Sequence, residues 1–143
     1  MNDRVGPRPV ARWSMLAALA SVLFMALGCA AFLLGVLTDP ASLPLDQRAA
    51  HEAQPLWLIL ANGFAVAAGL GGSLLLVLRR QLAEPLTLAS LVAVGIWLGG
   101  LLLMPRLRDT LGTDDIAVAI IVTLITWTIF WFARHSRQRG WLR

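Results

Sequence analysis

Four long apolar segments divide this chain, and its charged residues lie almost entirely between them. The segments cover residues 13–37, 56–78, 86–104 and 116–133, and none of them contains Asp, Glu, Lys, Arg or His. A helix needs roughly 20 apolar residues to cross a hydrocarbon layer of about 30 Å, so each segment is long enough to span a membrane. The pattern predicts an all-α fold, an integral membrane four-helix bundle.

The residues between these segments predict short tails, turns and loops. Residues 1–12 and 134–143 form the two tails, residues 79–85 a tight turn, and residues 38–55 and 105–115 two further loops. Prolines mark several of these boundaries because proline lacks the amide donor that a continuing helix needs. Within the longer loop, residues 45–53 predict a short surface helix.

The overall composition agrees with membrane spans rather than a soluble core. The chain has 143 residues, of which 58% are hydrophobic and 14% charged, and its mean hydropathy is +0.73. A soluble domain of this length does not need so much apolar surface, so the excess is expected to face the lipid bilayer.

The distribution of arginine predicts the orientation. All twelve basic residues are Arg, and nine of them lie in the two tails and the 79–85 turn, against Arg48, Arg106 and Arg108 in the other two loops. The positive-inside rule then places both termini in the cytoplasm, as in a multi-pass protein of the bacterial inner membrane. A pI near 11.3 does not indicate nucleic-acid binding, because the arginines flank the spans instead of covering one folded face.

Small residues recur at helical spacing along the predicted spans, where they allow the backbones of neighbouring helices to approach closely. They are Ser14, Ser21, Gly28 and Gly35 in the first span, Gly69 and Gly72 in the second, and the pair Gly95 and Gly99 in the third. We expect these positions to pack the four helices into one bundle. The alternative for Gly95 and Gly99, a GxxxG pair, is a homodimer interface.

A few polar side chains are predicted at similar depth within the spans. Asn62, Trp97 and Thr123 each lie six or seven residues from the outer end of a span, about 9 to 11 Å deep, and Thr126 follows one turn further along. Such a cluster can hold helices together through hydrogen bonds. It can also form the floor of an outward-facing cavity for a small polar solute.

No pattern predicts catalysis, a metal site or a cofactor. The spans lack the ionisable residue that proton-coupled carriers use, and His51 and His135 fall on opposite sides of the predicted membrane, so they cannot share a haem iron. Cys29 has no second cysteine to pair with. We expect it to be a packing residue, the alternative being a lipidated cysteine after the small residues 26–28.

Three stretches carry a resemblance to a known group of proteins. They are Pro55-Leu56-Trp57, the segment GLGGSLLLVLRRQLAEPLTLASLVAV at residues 69–94 and the terminal RGWLR at residues 139–143. Together they resemble small four-helix membrane proteins of proteobacteria whose activity is not characterised. Some of those proteins carry a sugar transporter label, so the resemblance implies the topology and, through that label, transport.

Two functional hypotheses follow from these patterns. The first is a non-enzymatic inner-membrane protein that acts as an accessory or scaffold subunit, with further copies of itself or a larger membrane complex as partners. The second is a small-solute, sugar-type facilitator that works as an oligomer and binds its solute at Asn62, Trp97 and Thr123. Uncharged spans favour the first hypothesis, and the polar cluster favours the second.

Overall fold

The computed structural model describes residues 10–143, which form six α-helices and no strand. In chain order the helices are α1 Arg12–Leu37, α2 Leu45–Ala53, α3 Leu56–Val77, α4 Ala83–Leu103, α5 Pro105–Thr110 and α6 Thr113–Gln138. A 3₁₀ turn, Pro40–Ser42, precedes α2. The first nine residues of the predicted N-terminal tail lie outside the described residues.

Four of these helices, α1, α3, α4 and α6, are long and apolar enough to cross a membrane. The prediction of an all-α fold with four spans is therefore confirmed. The chain fits a multi-pass membrane protein in which α2 and α5 are short helices outside the spans.

The last helix is longer at both ends than the apolar segment 116–133. It begins at Thr113, where the carboxylate of Asp115 accepts a hydrogen bond from the amide of Gly112 at 3.1 Å. It continues to Gln138, because the polar residues after the apolar segment keep the helical hydrogen-bond pattern. Helix α6 therefore includes half of the residues predicted as the C-terminal tail.

The predicted loop 105–115 is also more ordered than expected. Pro105 opens the short helix α5, a position at which the missing amide of proline costs nothing. Leu107 of α5 is almost fully buried against the spans. An apolar residue between Arg106 and Arg108 thus anchors this connection to the bundle.

The spanning helices follow one another around the bundle in chain order. Helix α1 packs on α3, α3 on α4 and α4 on α6, whereas α3 makes only a small contact with α6. The first and last spans meet near the chain termini, where the rings of Trp13 and Phe132 lie 5.8 Å apart. We call that end of the bundle the termini end and the opposite end, with α2 and α5, the loop end.

The closest helix contact joins α3 to α4. A Cβ atom added at Gly72 would lie 2.7 Å from Cγ2 of Thr87, so only glycine fits there. One turn away, the hydroxyl of Ser90 donates a hydrogen bond to the carbonyl of Ala65 at 2.6 Å. This seam combines the two devices by which helices associate in lipid, close backbone approach and a polar contact.

The termini end is closed by a tightly packed cluster. Its buried members come from all four spans and from the end of the chain, and they are Ala18, Met25, Leu76, Ala83, Ile129, Phe132, Ala133 and Leu142. The ion pair between Arg137 and Glu84, at 2.6 Å, joins α6 to the start of α4 beside this cluster.

Residues 139–143, the C-terminal segment, fold back onto the bundle instead of forming a free tail. The turn at Gly140 has a φ of 69°, a conformation that suits glycine. The amide of Arg143 donates to the carbonyl of Arg79 at 2.6 Å, and the amide of Gln81 donates to the carbonyl of Arg143 at 3.1 Å. These bonds fix the segment to the α3–α4 turn, and they bury Trp141 and Leu142.

Candidate functional site

The loop end contains a partly open cavity of about 310 Å³ that residues of the four spans and α2 line together. We call it the loop-end cavity. Its walls are mainly apolar, with a few polar side chains, and its lining residues are Gly28, Ala31, Phe32, Gly35, Val36, His51, Gln54, Ile59, Asn62, Val66, Trp97 and Val122. Its volume lies at the lower end of the range for small-molecule sites, roughly 300 to 1,000 Å³.

Two residues of the predicted polar cluster line this cavity together. Asn62 comes from α3 and Trp97 from α4. The Nε1 atom of Trp97 is buried and has no hydrogen-bond acceptor among residues 10–143. A buried indole N–H normally has a partner, so Trp97 holds an unsatisfied donor beside the cavity.

The threonines predicted to complete the cluster do not line the cavity. The hydroxyl of Thr123 donates to the carbonyl of Ala119 at 2.9 Å, and that of Thr126 donates to the carbonyl of Val122 at 2.8 Å. Both bonds stay within α6, because a threonine in a helix readily bonds the carbonyl four residues earlier. The four residues therefore do not form one hydrogen-bonded group.

Two polar residues that the sequence did not identify contribute to the cavity instead. His51 and Gln54 lie at the end of α2, three residues apart and hence on one side of the helix. The segment 45–53 predicts the helix, but nothing in its pattern shows that it covers the spans. Its position depends on tertiary contacts with α5 and the Pro40–Ser42 turn.

A second cavity of about 270 Å³ adjoins the first beneath α2. The two share Gly35, His51 and Gln54, while Gln47, Leu107 and Leu111 line only the second. Helix α2 therefore borders both spaces.

The cavity favours an uncharged ligand. None of its lining residues is Asp, Glu, Lys or Arg, and an ionic group buried without a partner would be strongly disfavoured. The amides of Asn62 and Gln54 and the imidazole of His51 can both donate and accept hydrogen bonds, whereas the indole of Trp97 only donates. This set of groups suits a ligand with hydroxyl or carbonyl oxygens.

The small residues predicted on α1 have different surroundings along the helix. Ser14 and Ser21 are buried, and their hydroxyls bond carbonyls of α1 itself at 2.7 and 2.8 Å. Gly28 lies within ordinary contact distance of Val66, and a Cβ atom at Gly35 would meet nothing within 4 Å. Toward the loop end, small residues on α1 therefore leave space for the cavity.

The glycines of α3 and α4 also divide into two groups. Gly69 and Gly72 are buried, and a Cβ atom at Gly69 would lie 2.6 Å from Sδ of Met25. Gly95 and Gly99 have no atom within 4 Å of an added Cβ. Gly63, which the sequence did not single out, faces the ring of Phe32, whose Cζ atom would lie 2.8 Å from an added Cβ.

No group of three His, Cys, Asp or Glu side chains within residues 10–143 is arranged to hold a metal ion. Comparisons with protein-family profiles, curated proteins and solved structures gave no match for this chain. The functional conclusions below therefore depend on the geometry of the chain alone.

Proposed function

We propose that this chain is a non-enzymatic membrane protein that binds a small uncharged solute in the loop-end cavity. The observation that carries the proposal is the unpartnered Nε1 donor of Trp97, a residue that lines the same cavity as Asn62, Gln54 and His51. The buried hydroxyl of Ser90, which joins two helices, has its partner within the bundle, whereas the indole of Trp97 has none among residues 10–143.

The closed termini end argues for binding rather than a continuous path through one copy. Phe132, Trp141 and Leu142 are buried at that end, and the cavity that they line between the spans measures only about 20 Å³. A cavity of that size accommodates about one water molecule. If the protein also moves solute across the membrane, passage requires rearrangement of this end or a path between copies.

Tryptophan fluorescence of the protein in nanodiscs can test binding, with glucose and glycerol as probes of an uncharged sugar and an uncharged polyol. We expect one of them to change the emission saturably in the wild type. Trp97→Phe removes the donor and keeps most of the ring, and Asn62→Leu removes the amide at nearly constant volume. Both variants should fold, and binding should weaken about fivefold or more, since an unpaired polar group costs about 1 to 3 kcal/mol.

Trp127→Phe provides the matched control because Trp127 is exposed on α6 and does not line the cavity. It should leave binding unchanged. Equal affinity in Trp97→Phe and the wild type, or no saturable response to either probe, would contradict the proposal. Uptake of the radiolabelled probes into liposomes would then separate binding from transport.

The accessory or scaffold function remains a second candidate, supported by Gly95 and Gly99. These residues form a small-residue surface on α4 that no helix within residues 10–143 covers. Replacing both with Leu should abolish self-association, or co-purification with larger membrane subunits, while the monomer remains folded. Crosslinking that detects only monomers in the wild type, with no co-purifying subunit, would exclude this candidate.

The proposed location is the bacterial inner membrane, with the termini end in the cytoplasm. Among residues 10–143, the termini end carries seven arginines and one glutamate, and the loop end carries three arginines and six acidic residues. This asymmetry supports the orientation through the positive-inside rule. Labelling of single cysteines placed in α2 and beside Arg139, in intact cells and in inverted vesicles, tests it directly.

A further inference from the structure

A second apolar space lies at the termini end between the first and last spans. We call it the α1–α6 groove; it has a volume of about 500 Å³, and its lining includes Trp13, Ser21, Phe24, Thr128, Trp131 and Phe132. The only hydroxyls in this set, on Ser21 and Thr128, bond carbonyls of their own helices at 2.8 and 2.9 Å. The surface of the groove is therefore mainly apolar and suits a hydrocarbon chain.

Aromatic residues connect the groove with positive charge at its terminal edge. Trp131 stacks on His135 with ring centres 5.3 Å apart, and the edge of Trp13 meets Trp141 at 6.0 Å. The guanidinium of Arg139 lies over the ring of Trp141, 5.8 Å from its centre. Arg12, which is exposed, adjoins Trp13 in α1.

We infer that this groove binds one anionic phospholipid, with an acyl chain along the α1–α6 groove and the phosphate against Arg139 and Arg12. Charge complementarity selects this occupant, because the planar guanidinium groups match phosphate oxygens and the cations lie at the end where the groove meets the interface. Trp13 and Trp131 are 53% and 56% exposed, and tryptophan at such positions belongs to the interfacial belt of a bilayer.

The scarcity of acidic side chains at the termini end also favours an anionic headgroup. Glu84 is the one acidic side chain at the termini end among residues 10–143, and its carboxylate is already paired with Arg137 at 2.6 Å. Arg139 and Arg12 are in no ion pair among the described residues. A second helix is a poorer occupant, because the exposed tryptophan rings project where helix packing requires small residues.

Native mass spectrometry of the intact chain, released from mixed micelles of dioleoyl phosphatidylglycerol and dioleoyl phosphatidylcholine, tests this inference. We expect one phosphatidylglycerol to be retained in preference to phosphatidylcholine. Arg139→Gln and Arg12→Gln should each reduce the preference about fivefold, the effect expected for one cation near an anionic surface. Arg106→Gln, at an exposed site in α5 at the loop end, is the matched control and should change nothing.

A groove-filling variant tests the position of the acyl chain. Ala20→Phe places a ring in the groove and should reduce retention of both lipids, whereas Ala26→Phe, at an exposed position of α1 outside the groove, should not. Millimolar inorganic phosphate should fail to displace the lipid if the acyl chain contributes to binding. Equal retention of the two lipids, an effect of Arg106→Gln as large as that of Arg139→Gln, or displacement by phosphate would overturn the inference.

Discussion

The two ends of this bundle use the same four helices, yet side chains fill the space between the spans at one end, leaving only the open groove between α1 and α6, whereas the other end contains cavities. At the termini end, Phe132, Leu76 and Leu142 fill the space between the spans. At the loop end, Gly28, Ala31 and Gly35 of α1 border the loop-end cavity. The difference shows that small residues bring helices together only where the facing helix can approach; elsewhere they leave a cavity.

The largest expected effect concerns the C-terminal segment. Trp141 is 7% exposed and contacts Trp13 and His135. Trp141→Ala should lower the free energy of unfolding by about 3 kcal/mol, as for other buried aromatic side chains. Trp127→Ala, at a site that is 55% exposed on α6, is the control. Equal losses in thermal unfolding of the two variants would show that the termini end is no more tightly packed than the surface.

The second prediction compares two glycines that have opposite surroundings. Gly72→Ala should destabilise the protein by about 2 kcal/mol, because the new Cβ would approach Thr87 side-chain and backbone atoms at 2.7 and 3.1 Å. Gly95→Ala should cause no loss, since its Cβ meets nothing within 4 Å and alanine favours a helix. Thermal denaturation in one detergent measures both, and a destabilising Gly95→Ala would indicate that this face is occupied.

The third prediction concerns two buried serines of the α3 and α4 helices. Ser90→Ala removes the hydrogen bond to the carbonyl of Ala65 and should cost about 1 kcal/mol. Ser73 is buried, and its hydroxyl has no partner among residues 10–143, so Ser73→Ala should be neutral or stabilising. A larger loss for Ser73→Ala than for Ser90→Ala in urea unfolding would contradict this assignment of partners.

The smallest expected effect on stability is at the loop-end cavity. Trp97→Phe removes an unpartnered donor, so the free energy of unfolding should change by less than about 0.5 kcal/mol or rise slightly. If Trp97→Phe lowered the free energy of unfolding as much as Ser90→Ala, Trp97 would be joining helices rather than contributing to a binding site. The comparison between the two ends would then no longer hold.

The spans could be predicted from the sequence because hydropathy is a property of each segment taken alone. The cavity could be predicted only in part, since its shape depends on how side chains from different helices fit together. Asn62 and Trp97 were identified as polar groups at similar depth, and the structure brings them to one cavity. Thr123 was grouped with them by depth, but a hydroxyl can be satisfied by its own helix, and depth does not show that.

The C-terminal segment was the least predictable part of the chain. Residues 139–143 include two arginines and a glycine. Such a composition at the end of a chain is typical of a mobile tail. The segment becomes ordered because Trp141 and Leu142 find a buried site formed by other helices. That site depends on residues more than a hundred positions away in the chain, such as Ser14.

The packing of each span against its predecessor also bears on how the protein assembles during synthesis. Since α3 docks on α1, α4 on α3 and α6 on α4, no helix has to wait for a partner that the ribosome has not yet made, and contacts local in sequence favour rapid folding. The contact between Trp13 and Phe132, and with it the C-terminal segment, is completed only after the last span has entered the membrane. The contact between the first and last spans, which completes the bundle, therefore forms last.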